Sequence, residues 1–265
     1  MAHQASLTDH RPLPRLAGVS IVLPCHDEAP NLERMLRDAT AAASAVADAH
    51  EIIVVDDGSR DETAAIAAAA AARDPRIRLV AHERNRGYGA AMRTGFAAAR
   101  LEWVFLTDAD CQFDLRELAG TLPLATGSDV VAGYRLRRAD PLHRRLNARG
   151  WNALVRRLFD LPVRDVDCAF KLLRRDVVER LALHADGAVV STELLVRAQA
   201  AGARISELGV THLPRPAGRS SGAQPAVVAR AFRELRALRA QLRAETATEP
   251  AAGAPSSGAA RARPA

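Results

Sequence analysis

Short apolar runs alternate with helical stretches along the first hundred residues of this chain. Residues 19–23 (VSIVL), 51–55 (EIIVV), 78–80 (RLV) and 104–106 (VFL) are each long enough for a buried strand and too short for a helix. Between them, Ala29-Pro30-Asn31 opens a helix with Leu32, Met35 and Leu36 on one face. Ser59-Arg60-Asp61-Glu62 has the form of a capping box ahead of an alanine-rich helix. The turn at 85–89 opens a third helix reaching about Ala99. Strand, helix, strand, helix over roughly 90 residues predicts right-handed βαβ units around a mainly parallel sheet. The first strand is read as ended by Pro24.

Polar clusters follow three of these strands, after Leu23, Val55 and Leu106. Ligands of open α/β sheets bind beyond the carboxyl ends of the strands, so Glu28, Asp57, Asp108 and Asp110 are expected to share one crevice. Asp108 and Asp110, spaced i and i+2, can aim at one point with the Gln112 amide oxygen behind them. Such an oxygen set suits Mg²⁺ or Mn²⁺, which would in turn bind phosphate oxygens. The same residues also suit a plain polar strand end, since acids commonly follow strands as turn formers and caps. Neither a GxGxxG fingerprint after the first strand nor a P-loop is present, which argues against a dinucleotide fold or a P-loop NTPase.

Beyond this half, residues 129–134 read as a strand with Arg135 at its end. Residues 137–157 are strongly basic, and 163–173 carry Asp165, Asp167 and Lys171 among apolar residues. A helix starts at 191–193, stops at Gly202, and is followed by a late strand within 204–213. The helix at 226–243 places Val228, Ala231, Phe232, Leu235, Leu238 and Leu242 on one face and arginines on the other. The chain divides into a flexible segment 1–17, a domain 18–222, a basic amphipathic helix 223–245 and a disordered tail 246–265.

The formal charge is +6, and Lys171 is the only lysine, so the basic excess is arginine, which grips phosphate bidentately. Nucleotides, anionic lipid head groups and nucleic acid all fit that charge; the scarcity of aromatics beside the arginines argues against nucleic acid. Cys25, Cys111 and Cys168 are odd in number and far apart, so neither a zinc site nor a disulfide framework is indicated. With no signal peptide and no apolar run near the roughly 20 residues of a membrane span, the chain reads as cytoplasmic. Its basic segments 135–157 and 226–243 can rest on the inner face of the cell membrane.

Four motifs occur in order: Val22-Leu-Pro24-Cys-His26-Asp-Glu28, Val54-Val55-Asp-Asp57-Gly-Ser59, Asn85-x-Gly87-x-Gly-Ala-Ala91-x-x-x-Gly95 and Asp108-Ala109-Asp110-x-Gln112. Together they resemble the inverting family 2 glycosyltransferases. The later Gly133-Tyr134-Arg135, Asp165-x-x-x-x-Phe170-Lys171 and Glu193 look most like the dolichol-phosphate mannosyltransferase, or polyprenyl-phosphate glycosyltransferase, branch. The resemblance covers about residues 18–222 and implies a single GT-A (nucleotide-diphospho-sugar transferase) α/β domain. It implies that Pro24, His26, Glu28, Val55 and Asp57 form the nucleotide pocket, Asp57 receiving the base or ribose. Asp108, Ala109, Asp110 and Gln112 would hold the metal and the donor diphosphate. Arg135 and Arg215 would grip phosphates, and Asp165 and Glu193 would line the sugar and acceptor side.

Departures from the family pattern fall at His26-Asp27, commonly Tyr-Asn; at Ala148, commonly Ser; and at Ser221, commonly Lys, a charge that Arg219 can restore. Three readings follow. The chain is a transferase moving a hexose from GDP-mannose or UDP-glucose to a polyprenyl phosphate; or it serves a soluble hydroxyl acceptor, with Asp165 or Asp167 as base; or it is a catalytically lapsed nucleotide-sugar-binding scaffold.

Overall fold

The computed structural model describes residues 14–136, 142–217 and 225–248. Segments 1–13 and 249–265, which include most of the expected flexible lead-in and tail, lie outside the described residues, as do Arg219 and Ser221. In chain order the elements are β1 (Leu16–Cys25), α1 (Ala29–Val46), β2 (Ala47–Asp56), α2 (Thr63–Arg73), β3 (Ile77–Ala81), α3 (Tyr88–Ala98) and β4 (Trp103–Thr107). A 3₁₀ turn (Leu115–Thr121) leads into α4 (Leu122–Ala125), then β5 (Val130–Arg135), α5 (Leu142–Phe159), β6 (Phe170–Arg174), α6 (Arg175–Glu179), α7 (Val190–Ala200), β7 (Ile205–Val210) and α8 (Pro225–Thr248).

The strands form one seven-stranded sheet in the order β3-β2-β1-β4-β6-β5-β7. All neighbours are parallel except those of β6, which runs antiparallel to both β4 and β5. Buried apolar residues form one cluster on each face of the sheet. Ile21, Leu23, Ile52, Val54 and Phe105 face α1 and α2; Val22, Ile53, Val55, Val104 and Leu106 face α3 and α7. These near-continuous apolar runs are what a parallel sheet covered on both sides requires.

Pro24 does not end β1: it continues in register with Val55, and β1 starts at Leu16, inside the segment read as lead-in. The ladder to β4 stops at Val22↔Leu106, so beyond that point β1 pairs on one side only. A proline is tolerated where its missing N–H has no partner to serve. The capping box is also corrected. Ser59 Oγ bonds the Asp56 carboxylate, and Asp61 Oδ1 takes the Thr63 amide at 3.0 Å at the start of α2. The extra residues let Ser59 stay in the turn after β2, where it also receives the Asp27 amide at 3.0 Å.

Helix α3 lies on the sheet through Gly95, where a Cβ would run into Val22 Cγ1 and come within 3.2 Å of Val55 Cγ2. Gly95→Leu is therefore expected to lower stability by more than about 3 kcal/mol, through overpacking of a face with no spare volume. Urea unfolding monitored by circular dichroism measures it.

Candidate active site

Parallel register brings the carboxyl ends of β1, β2 and β4 side by side, with Cys25 opposite Asp56 and Val22 opposite Leu106. The turn after β1 carries Glu28, that after β2 carries Asp57, and that after β4 carries Asp108 and Asp110. Glu28 (9% exposed) and Asp110 (8% exposed) are both bridged by Arg215, from the segment after β7. One guanidinium nitrogen bonds Glu28 Oε1 and the other lies 3.4 Å from Asp110 Oδ2. Burial raises the pKa of Glu28 and of Asp108; burial and then the neighbouring Asp108 charge push Asp110 up to about 6. Asp108 lies beside Tyr88, and its Oδ1 is buried with no hydrogen-bond partner among the described residues. Cys111 has a positive φ of 55°, the sharp bend that turns the chain back after Asp110. Two acids in low dielectric, an orphan oxygen and an arginine lying across the pair make a strongly anionic cradle with cation-seeking chemistry.

The profile of "Glycosyl transferase family 2" matches residues 20–182, which span every one of these acids. The chain belongs to that family. It is 36% identical over 227 residues to glycosyltransferase AglD of Haloferax volcanii, covering 78% of this chain and 35% of that protein. It is 35% identical over 204 residues to an undecaprenyl-phosphate 4-deoxy-4-formamido-L-arabinose transferase of Pseudomonas fluorescens, covering 76% of this chain and 59% of the relative. This chain thus spans about a third to three fifths of the length of the curated relatives it matches. Among solved structures, the UDP complex of glucosyl-3-phosphoglycerate synthase from Mycobacterium tuberculosis superposes with a TM-score of 0.65 at 21% identity. The match covers 84% of this chain and 80% of that one, and carries the GT-A fold.

Within this family 2 glycosyltransferase, several of the expected site residues have partners within the chain. Asp57, expected to receive a base or ribose, is engaged with its own chain. Its Oδ1 takes His82 Nδ1 at 2.7 Å and the Arg86 amide at 2.9 Å, and Oδ2 takes the Gly87 amide at 2.8 Å. It shapes the turn leading into α3. His26 is exposed, with Nδ1 3.1 Å from the Asp57 carbonyl. Pro24, Val55 and Ala109 are buried in the strand ends and supply wall, not bonds. Gln112 Nε2 donates to the Leu213 carbonyl at 3.1 Å, tying the Arg215 segment to the acids and leaving Oε1 as the atom able to meet a cation.

Asp165 and Glu193 each have partners of their own within the chain. Arg135 clamps Asp165 through two bonds of 2.6 and 2.8 Å, so the carboxylate expected as a base is held as a counter-ion. The Lys171 ammonium is fully buried and donates to the carbonyls of Val166 and Cys168. Glu193 is 1% exposed, and its oxygens take the amides of His184 and Ala185 and Nε of Arg197. It anchors the backbone at 184–185 to α7.

Two groups escaped the sequence reading. Tyr88 is the residue inside the Gly87-x-Gly89 turn, and only the fold shows that this turn abuts Asp108. The second is a cavity of about 210 Å³ between the end of β5 and α5, lined by Arg135, Arg145, Arg149, Arg156 and Arg164 with Tyr134, Leu136, Asn152 and Asp165. The i, i+4, i+11 spacing of Arg145, Arg149 and Arg156, one helix face over three turns, was the signal available in sequence. Because β6 runs antiparallel to both β4 and β5, Arg135 at the carboxyl end of β5 lies on the same edge of the sheet as the acids after β4, two strand positions away.

Proposed function

We propose that this family 2 glycosyltransferase moves a hexose from a nucleotide sugar, GDP-mannose or UDP-glucose, to the phosphate of a polyprenyl phosphate with inversion. The observation that carries this reading is the juxtaposition of an acid cradle and a five-arginine cavity, the first suited to a metal-bound diphosphate and the second to an anionic acceptor. Leu136 at the cavity and Leu146, between Arg145 and Arg149 on α5, are 59% and 55% exposed, an apolar rim fit for a prenyl chain. The names of the relatives support a polyprenyl acceptor, and the complexes of the mycobacterial synthase with Mn²⁺ and UDP-glucose support the donor class.

A divalent ion fits the acids present. Asp108 offers an orphan carboxylate oxygen, Asp110 a second carboxylate, and Arg215 already rests against the cradle as a positive group. Among the described residues no three His, Cys, Asp or Glu side chains form a metal cage. Mg²⁺ or Mn²⁺ held by Asp108 and Asp110, with Gln112 beside them, would thus rely on diphosphate oxygens to complete its shell. When bound, the ion offsets charge growing on the departing nucleoside diphosphate. Asp108 and Asp110 orient the donor, with Tyr88 beside Asp108. The arginine cavity holds the acceptor phosphate in line with the anomeric carbon. A phosphate acceptor is already ionised at neutral pH and needs no base, which agrees with an Asp165 clamped by Arg135. The hydroxyl-acceptor reading would turn to Asp167 as its base.

Transfer assayed with each donor and Mn²⁺ should yield glycolipid with a short polyprenyl phosphate and none with the matching alcohol; product from the alcohol alone would reverse the assignment. Arg149→Ala should raise KM for the polyprenyl phosphate roughly ten-fold, the worth of one charge-assisted hydrogen bond, with donor KM unchanged. Contact of residues 135–157 with an anionic membrane belongs to the same reading. No described helix is long and apolar enough to cross a membrane.

A further inference from the structure

Helix α8 packs its apolar stripe on the core: Leu235 and Leu238 are 3% exposed, and Phe232 meets Trp151 edge-to-face at 5.6 Å. Two acids on this otherwise arginine-rich helix reach one loop. Glu245 accepts from Arg197 at 2.9 Å, Arg197 Nε donates to Glu193 at 2.9 Å, and Glu193 holds the amides of His184 and Ala185 at 2.9 and 2.8 Å. Eleven residues earlier, Glu234 lies over Gly187, where a Cβ would stand 2.6 Å from its Oε2. That oxygen is buried without a hydrogen-bond partner among the described residues, while Oε1 takes Arg230 Nε.

The far side of the same loop abuts the first turn of α3. The Asp186 carbonyl takes the Gly89 amide at 2.8 Å, and the Ala185 carbonyl takes Arg93 at 2.6 Å. Cβ atoms at Gly87 and Gly89 would run into the Asp186 and Ala185 carbonyls. That turn carries Gly87, whose amide bonds Asp57 at 2.8 Å, and Tyr88, which neighbours Asp108.

We propose that α8 braces the acid cradle through the 184–187 loop, with Glu245, Arg197 and Glu193 as positioning residues for Tyr88 and Asp108. Apolar packing alone would dock the helix, and buried ion pairs are often replaceable by hydrophobic residues without loss of stability. What apolar side chains cannot do is present a carboxylate to two backbone amides and so fix the loop that α3 rests on. The loop is thus the element through which the tail helix reaches the donor site.

The test uses the full chain and two variants, Glu245→Ala at the exposed end of the relay and Arg197→Met at its middle. Amide hydrogen exchange, without ligand, is followed in residues 184–187, 87–92 and 52–55. Exchange is expected to quicken about three-fold for Glu245→Ala and at least ten-fold for Arg197→Met in the first two segments, with 52–55 unchanged as the folding control. Glu245→Gln, which keeps one acceptor, should fall between parent and Glu245→Ala. Donor KM, an arm that rests on the proposed transferase activity, should rise three- to ten-fold in Arg197→Met with kcat altered less than two-fold. Faster exchange confined to α8 and 184–187, with 87–92 protected as in the parent, would overturn the brace even if Arg197→Met also lost stability. Coupled exchange in a chain that turns over no nucleotide sugar would leave the brace standing and overturn the proposed function alone.

Discussion

Asp110→Asn should reduce sugar transfer at least 10³-fold while leaving the protein as stable as the parent or more so. The loss follows from the proposed role: one charge of the ligand pair at the leaving group disappears, and stabilisation of departing diphosphate by several kcal/mol goes with it. The stability half follows from the site. Asp110 is 8% exposed, and burial with the Asp108 charge pushes its pKa up to about 6. A carboxyl whose folded pKa lies above its unfolded value, ~3.9, binds its proton more readily when folded. Its ionisation at pH 7 therefore costs stability, and that cost fades as pH falls through about 6 toward 4. Asparagine never ionises, so the variant should melt a few degrees higher at pH 7, and the gap should narrow by pH 5. Thermal melts at the two pH values, beside the transfer assay, read both halves.

Arg215→Ala should separate metal affinity from catalysis. Arg215 bridges Glu28 and Asp110, and its Nε is held on the Ala217 carbonyl at 2.8 Å. In this position the guanidinium competes with any cation for the Asp110 carboxylate. Its removal should tighten binding of Mn²⁺ alone several-fold, since two buried carboxylates are left without their counter-charge. Transfer should nevertheless fall ten- to a hundred-fold, because the arginine is proposed to turn from the acids to the donor diphosphate once the ion is seated. Isothermal titration with Mn²⁺, with and without the nucleoside diphosphate, distinguishes this from a uniform loss of binding. Weaker binding in both titrations would mean that Arg215 only props the loop.

The order of strands and helices was legible because a parallel sheet leaves uninterrupted apolar runs, and 19–23, 51–55 and 104–106 are such runs. The antiparallel β6 was not, because its pairing with β4 and β5 is set by neighbours far away in sequence. The acids after β1 and β4 converge as read, since parallel register alone brings the strand ends together. What their partners do could not be read in the same way. Asp57 sits two residues past Val55 whether it faces a nucleotide or the amides of Arg86 and Gly87. Glu193 sits in the first turn of α7 whether it faces a sugar or a loop. Such choices depend on contacts 8 to 30 residues distant, for which a single sequence carries no pattern.

The most direct measurement is Mn²⁺ binding by the full chain with a saturating nucleoside diphosphate, compared between the parent and a variant carrying Asp108→Asn and Asp110→Asn together. The account predicts one tightly bound ion in the parent, none in the variant, and loss of transfer alongside. An ion still held by the doubly substituted chain, or sugar transfer persisting in it at the parental rate, would contradict the account.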